Sequence, residues 1–153
     1  MEILKGLLYI NDNDAYDTYG VFLSERNPGD MENYNALLKP AESKGHTCVD
    51  FREEDGEKYP PILKTALKAR DIELTFTIEA ENKKEFFAKR KAFVSALRTG
   101  SNGNGWLELR LSDLDMIFKV FYVSCSEWTQ LTGFEKKVYA SFKVKFREPN
   151  PVY

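Results

Sequence analysis

The chain has 153 residues and carries 22 lysines and arginines against 24 aspartates and glutamates, which gives a net charge of −2. A nearly balanced charge creates no long-range attraction for nucleic acid or an anionic membrane, so we expect neither nucleic-acid sequence recognition nor membrane insertion. No apolar run approaches the roughly 18 residues of a membrane helix. The length suits one domain over residues 1–153, and 14% aromatic residues favour packed sheets over disorder.

The two cysteines, Cys48 and Cys125, lie far apart and form no C-x-x-C pair. This spacing matches no disulfide framework, so we expect reduced, mostly buried thiols. At the N-terminus, Glu2 stands where a signal peptide carries positive charge, and Lys5 and Gly6 interrupt the apolar stretch. We therefore expect a soluble protein that stays inside the cell until assembly or release.

The first half of the chain alternates short apolar runs with turns. Residues 3–10 predict a strand, and the turn at 11–14 followed by the apolar run 19–23 predicts a hairpin. Between residues 24 and 44 the periodicity is weak. A turn is indicated at 27–30, and a turn of helix is expected near 32–38. The alternation over 46–51 predicts a short strand.

The strongest patterns lie between residues 69 and 100. β-branched and aromatic residues alternate with polar ones over 69–80, which predicts a half-buried strand. Asn82 fits a helix N-cap with Glu85 three residues later, so a helix is expected over about 83–98, ending at Gly100. Its apolar arc includes one charge, Arg90, whose stem we expect to snorkel towards water.

The last third predicts three strands separated by loops. Residues 99–105 are expected to form a flexible glycine-rich loop, followed by strands over 106–111 and 116–124 around a turn at 112–115. Residues 138–147 alternate apolar and basic side chains, as in a half-buried antiparallel strand that closes a sheet. The predicted fold class is therefore mainly β, α+β, with one long packed helix.

No group of residues carries a recognisable catalytic or metal-binding signature. His46, Cys48 and Asp50 share one face of a predicted strand, but no fourth ligand stands at a standard spacing. A serine or cysteine nucleophile would have only this single histidine as its base, and Asp113 and Asp115 suggest no substrate. We expect no enzymatic activity, no cofactor and no metal.

A basic stripe is the strongest candidate for a contact surface. Lys84, Lys91 and Arg98 recur every seven residues and stack on one side of the predicted helix. They form either a solvated face or a patch that docks on acidic residues of a neighbouring subunit. Trp128, beside a loop, is either a core anchor or an interface residue.

The order of several motifs resembles one family of phage tail proteins. The motifs are Tyr19-Gly20-Val21 after an N-terminal strand, the turn ending in Asp55-Gly56, the strand 72–78, the helix with Arg90 and Leu97, the strand 118–123, and the closing Phe142-x-Val144-x-Phe146 before Pro149. From about residue 3 to residue 149, the chain resembles the N-terminal ring domain of the distal tail proteins of long-tailed phages and their tail-tube relatives.

This resemblance implies an antiparallel β-sandwich or split barrel of the tail-tube type, as a single domain over residues 1–153. It implies a homo-oligomeric, hexameric ring in the baseplate of a phage or prophage virion, between the tail tube and the host-recognition tip. Assembly would take place in the bacterial cytoplasm. Exposed loops, among them 99–105 with Asn102 and Asn104, would order on contact with a neighbouring subunit.

A rival interpretation from another class is a monomeric β-sandwich that binds carbohydrate or protein. Its binding surface would include exposed aromatic side chains such as Trp106 and Trp128. This interpretation predicts a stable monomer with a solvated aromatic platform, whereas the tail-protein interpretation predicts assembly into a ring.

Overall fold

The computed structural model describes residues 6–25 and 31–151. The first three residues of the strand predicted over 3–10 and the whole of the turn predicted at 27–30 lie outside the described residues. No helix in the described part of the chain combines the length and the apolar composition needed to cross a bilayer.

Seven strands and three α-helices follow one another along the described chain. They are β1 (Leu8–Ile10), β2 (Asn13–Asp14), α1 (Ala15–Tyr19), β3 (Val21–Leu23), α2 (Glu32–Leu38), β4 (Arg70–Ala80), α3 (Lys83–Thr99), β5 (Leu107–Leu111), β6 (Met116–Gln130) and β7 (Val138–Glu148). The strands form one sheet in the order β2-β1-β5-β6-β7-β4-β3, and all neighbours are antiparallel.

The long strand β6 joins two halves of the sheet. Its first part, Met116 to Val120, pairs with β5, while its remainder pairs with β7. Buried residues from both halves belong to one hydrophobic cluster, so the two halves share a core. The predicted class, mainly β with one long packed helix, is confirmed. A sheet whose two halves share one core is consistent with the sandwich-like fold that the resemblance implied.

Strands β4 and β7 form the longest regular ladder of the sheet. Their register runs from Arg70 opposite Glu148 to Ala80 opposite Val138. Alternate side chains of β7 are buried, as the period of two predicted for residues 138–147 requires. The rings of Phe76 and Phe142 stack across the ladder, 5.8 Å between centroids, beneath α3.

Helix α3 begins and ends within one residue of the predicted bounds. The Asn82 side chain accepts a hydrogen bond from the Glu85 amide at 2.9 Å, as an N-cap does. The Glu85 carboxylate instead binds Lys89 (2.7 Å), and this hydrogen bond lowers the pKa of Glu85. Gly100 ends the helix at φ 64° and ψ −156°, a conformation open to glycine almost alone. A Cβ there would lie 2.5 Å from the backbone of Trp106.

The predicted N-terminal hairpin is wrong. Strand β1 pairs with β2 and β5, whereas β3 pairs with β4 at the other end of the sheet. The reason is α1, which the Asp14 side chain caps and which Gly20 ends in a left-handed conformation. This helix separates β1 from β3, and it is too short to show a helical period in the sequence.

The segment between β3 and β4 holds one predicted element and lacks another. Helix α2 confirms the expected turn of helix near residues 32–38. The short strand predicted over 46–51 is wrong, because Val49 contributes only an isolated bridge to Lys58 there. Strand β6 also continues to Gln130, six residues beyond its predicted end. Register shifts after Tyr122 and Ser126 break the alternation that would have marked the extension.

Candidate assembly surfaces

The outward side of α3 carries an unneutralised positive stripe. Lys84, Lys91 and Arg98 are exposed, and their spacing of seven residues places them on the same side of the helix. No ion pair within the described residues engages any of the three. The helix has six basic residues against one acidic residue, Glu85, and that carboxylate is already paired with Lys89. The stripe is thus available to a negatively charged partner.

Apolar side chains border this stripe on the same helix. Phe87 is 46% exposed and Val94 is 37% exposed. The ring of Phe87 stacks on Phe134 from the β6–β7 loop, with centroids 5.6 Å apart, and Phe134 is itself 43% exposed. We call this combined region the α3 surface; it consists of Lys84, Phe87, Lys91, Val94, Arg98 and Phe134. It presents positive charge next to aromatic and aliphatic groups.

Trp128 lies at the flank of the α3 surface as a half-buried anchor. Its ring stacks on Phe142 at 4.9 Å and meets the edge of Phe86 at 6.4 Å. The guanidinium of Arg90 lies 5.6 Å from its ring centroid. Arg90 is exposed, as expected for a side chain that snorkels out of the apolar arc, and it also makes a cation–π contact with this ring. Trp128 has 40% of its surface exposed, enough to take part in an interface.

The glycine-rich loop extends the α3 surface at the C-terminal end of the helix. Asn102, at φ 54°, and Asn104 are both exposed. The Asn104 side chain accepts a hydrogen bond from the Trp106 amide at 2.9 Å and lines a depression together with Arg98. Lys84 lies about 21 Å from Arg98 along the helix axis. The six predicted interface residues thus follow the length of α3 and form no single pocket.

Apart from Trp128, the second half of β6 was not predicted as a candidate surface. From Val123 to Gln130 every residue is exposed. Strand β7 pairs with one edge of this segment, but β5 ends its ladder at Val120, and no described strand pairs with the other edge beyond that point. An open strand edge of this kind is a template for pairing with another chain.

A long arm between α2 and β4 was also missed. We use "the arm" for residues 40–69, none of which is buried. Its two legs touch through the bridges Ser43–Leu67 and Val49–Lys58. Its exposed large apolar residues are Val49, Phe51, Tyr59, Ile62 and Leu63, of which Ile62 is 79% exposed. Apolar groups exposed on a segment without a core mark an interaction site. The sequence signal was the combination of low periodicity and apolar residues around Pro60-Pro61.

The tip of the arm is acidic. Residues 50–57 hold five carboxylates against one cation, Arg52. The Tyr59 hydroxyl donates a hydrogen bond to Glu57 at 2.6 Å, which lowers the pKa of Glu57 and raises the pKa of Tyr59 to about 12. The Glu57 carboxylate therefore stays charged at neutral pH.

The base of the arm is fixed by a buried arginine. The Arg70 guanidinium binds Glu148 at 2.6 Å, and it donates to the carbonyl of Leu37 at 3.0 Å and to that of Lys39. Only 9% of the Arg70 side chain and 6% of the Glu148 side chain are exposed. One side chain thus holds the end of α2, where the arm starts, to the strand where the arm ends.

Residues weighed for metal binding or catalysis are placed in structural or exposed positions. His46, Cys48 and Asp50 lie on the arm, and the described residues contain no cluster of three potential ligands. Both cysteines are free as predicted. The prediction that they are buried is wrong, because both residues are exposed to solvent. Asp113 accepts a hydrogen bond from the Tyr34 hydroxyl at 2.7 Å, and this bond raises the pKa of Tyr34.

Comparisons with known proteins find a similarity in fold alone. No family model matches the chain, and no curated protein matches it. Among solved structures, the fold is similar to that of the Dit protein of SPP1, with a TM-score of 0.59 and 11% sequence identity. That protein is described as a paradigm of the hub adsorption apparatus in phages that infect Gram-positive bacteria. The similarity covers 95% of this chain and 50% of SPP1 Dit, so the chain spans half the length of the protein that it matches.

Proposed function

We propose that this chain is a structural component of a phage or prophage tail: a ring-forming distal tail or baseplate protein that links the tail tube to the host-recognition tip. The observation that carries the proposal is the similarity in fold to SPP1 Dit over 95% of the chain. Because the similarity includes nearly every element, it concerns the whole architecture and not a common hairpin.

The surfaces of the isolated chain support a role in assembly. The open edge of β6 and the apolar arm are liabilities for a monomer, since both invite association with other chains. A closed ring covers such surfaces by giving each copy the same neighbours, which leaves no edge for uncontrolled growth. The chain is therefore proposed to act through geometry, as a scaffold with no catalytic step and no cofactor.

The residues predicted for the subunit interface take specific roles in this proposal. Lys84, Lys91 and Arg98 contact acidic groups of a neighbouring copy, while Trp128 anchors the apolar part of the contact. Asn102 and Asn104 lie on a loop that orders against a neighbour or against another tail protein. The ring functions in the virion tail, with tube and tip proteins as its other partners, after assembly in the bacterial cytoplasm.

The native mass of the purified protein tests this proposal. Light scattering after size-exclusion chromatography should give six times the chain mass of 17.7 kDa, across a range of concentrations. Negative-stain images of that species should show closed rings with a central opening. A protein that stays monomeric at every concentration and shows no rings would contradict the proposal.

The rival function, a monomeric carbohydrate-binding module, has less support from the aromatic side chains. Phe142 stacks on the ring of Trp128, and Arg90 lies over the same ring, so the indole is engaged within the chain. Lys119 lies 5.2 Å from the ring centroid of Trp106. A sugar-stacking platform needs an open aromatic face, and each indole already has a cation of the chain over its ring, Arg90 at Trp128 and Lys119 at Trp106. The same mass measurement separates the two functions.

A further inference from the structure

We infer that the arm of one copy docks on the α3 surface of the next copy, with its acidic tip against Lys84 and Lys91. This inference rests on the proposed ring and names the contact that closes it. It assigns a partner to the exposed apolar and charged groups of two surfaces. The contact is head-to-tail, since the arm and the helix are different surfaces of the same molecule.

The arm buries no side chain of its own. No residue between 40 and 69 is buried. Its legs are joined by two isolated bridges, by backbone hydrogen bonds from Lys44 to Ala66 and from Lys68 to Glu42, and by an exposed ion pair between Lys68 and Glu42. Ordering a segment of this length costs backbone entropy, and burial of apolar surface is the main term that offsets such a cost. A surface outside the arm would therefore favour a single fixed shape for it.

The apolar groups of the two surfaces are complementary. The arm exposes Phe51 and Ile62, and the α3 surface exposes Phe87, Val94 and Phe134. Aromatic side chains surrounded by charged ones are typical of the centre of a protein interface. Burying these groups against each other would remove the largest apolar exposures of both regions from water.

The opposite charges of the arm tip and of α3 indicate that the arm is what binds to the α3 surface. The arm tip, residues 50–57, has five acidic residues and one basic residue, whereas α3 has six basic residues and one acidic residue. A protein with a net charge of only −2 thus separates opposite charges onto two exposed regions. Complementary potentials of this kind steer association and fix its orientation, and both partners here are present on one chain.

The arm is long enough to reach a neighbouring copy. From its base to its tip the chain spans at most about 50 Å when extended. A compact chain of this length has a radius of gyration of about 15 Å. The tip can therefore extend beyond the body of its own copy while Arg70 holds the base in place.

A charge exchange tests the docking and identifies the partner. The tip variant carries Glu53→Lys and Asp55→Lys, and the helix variant carries Lys84→Glu and Lys91→Glu. Each variant alone places like charges opposite each other at the substituted positions, so its native mass should fall from that of the ring to that of the monomer. In an equal mixture, a substituted tip can meet a substituted helix and an unaltered tip an unaltered helix, so rings of alternating copies should return.

A matched control separates this effect from a general effect of charge. Glu32→Lys with Glu108→Lys makes the same change in net charge as the tip variant, at exposed positions outside the arm and α3. It should form rings like the unaltered protein, and all variants should keep the same circular dichroism spectrum and melting temperature. Raising the salt concentration should dissociate unaltered rings, because the paired charges lie near solvent.

The outcomes distinguish this inference from the proposed function. If the tip variant still forms rings, or if the mixture of the two variants stays monomeric, the docking of the arm on α3 is wrong while the ring function stands. If the unaltered protein forms no ring at any concentration, the proposed function fails and this inference fails with it.

Discussion

At the scale of single residues, two buried polar side chains form hydrogen bonds with backbone groups, in places where no strand or helix supplies the partner. Asn33, only 3% exposed, bonds both the amide and the carbonyl of Thr75, which continues the pairing of β4 where β3 ends. Arg70 does the same for the base of the arm. Neither role could be predicted, because the partners lie far apart in sequence and an isolated asparagine or arginine is most often exposed.

The Arg70–Glu148 pair makes the first prediction at this scale. Arg70→Met leaves a buried carboxylate without its cation, so the free energy of unfolding should fall by about 3–5 kcal/mol. Urea denaturation measures the change. Adding Glu148→Gln to Arg70→Met should restore part of the loss, because the uncompensated charge is removed. A loss below about 1 kcal/mol for Arg70→Met, typical of a surface site, would contradict this account.

At the scale of elements, prediction succeeded where local chemistry and periodicity agree. Strands β4 and β7 alternate apolar and polar residues along the sequence over 71–80 and 138–147, and α3 has a cap, an apolar arc and a glycine stop. Prediction failed where a short irregularity interrupts the periodicity. The one-turn helix α1 separates β3 from the partner that the sequence predicted, and two register shifts in β6 break the alternation that would have marked its last residues. Such events depend on long-range pairing and leave little trace in a single sequence.

The N-cap of α3 provides a test at the scale of an element. Asn82→Ala removes the acceptor for the Glu85 amide, and we expect the free energy of unfolding to fall by about 1 kcal/mol. Asn82→Asp keeps an acceptor oxygen at the same position and should leave stability close to that of the unaltered protein. Thermal and urea unfolding of both variants measure the difference. Equal losses for alanine and aspartate would show that the side-chain hydrogen bond is not the source of stability.

At the scale of the whole molecule, the overall composition did not indicate how charge is distributed over the surface. The net charge of −2 points to no partner, yet the fold separates an acidic arm tip from a basic helix. Three of the predicted interface residues, Lys84, Lys91 and Arg98, are exposed together on α3, as the spacing of seven indicated. The arm was not predicted, because a segment without a core has no periodicity to detect and its order depends on what it contacts.

The apolar part of the arm gives the last prediction, at the same scale. Ile62 is 79% exposed in the single chain, so Ile62→Ser removes no internal packing and should leave the melting temperature of the monomer unchanged. If the arm is buried between copies, the same substitution should raise the concentration at which rings dissociate, because that burial would be lost. Ile117→Ser is the matched control, since Ile117 is 65% exposed on β6, away from the arm and α3. Mass photometry over a dilution series measures both variants, and identical dissociation of the two would show that Ile62 faces solvent in the ring as it does in the isolated chain.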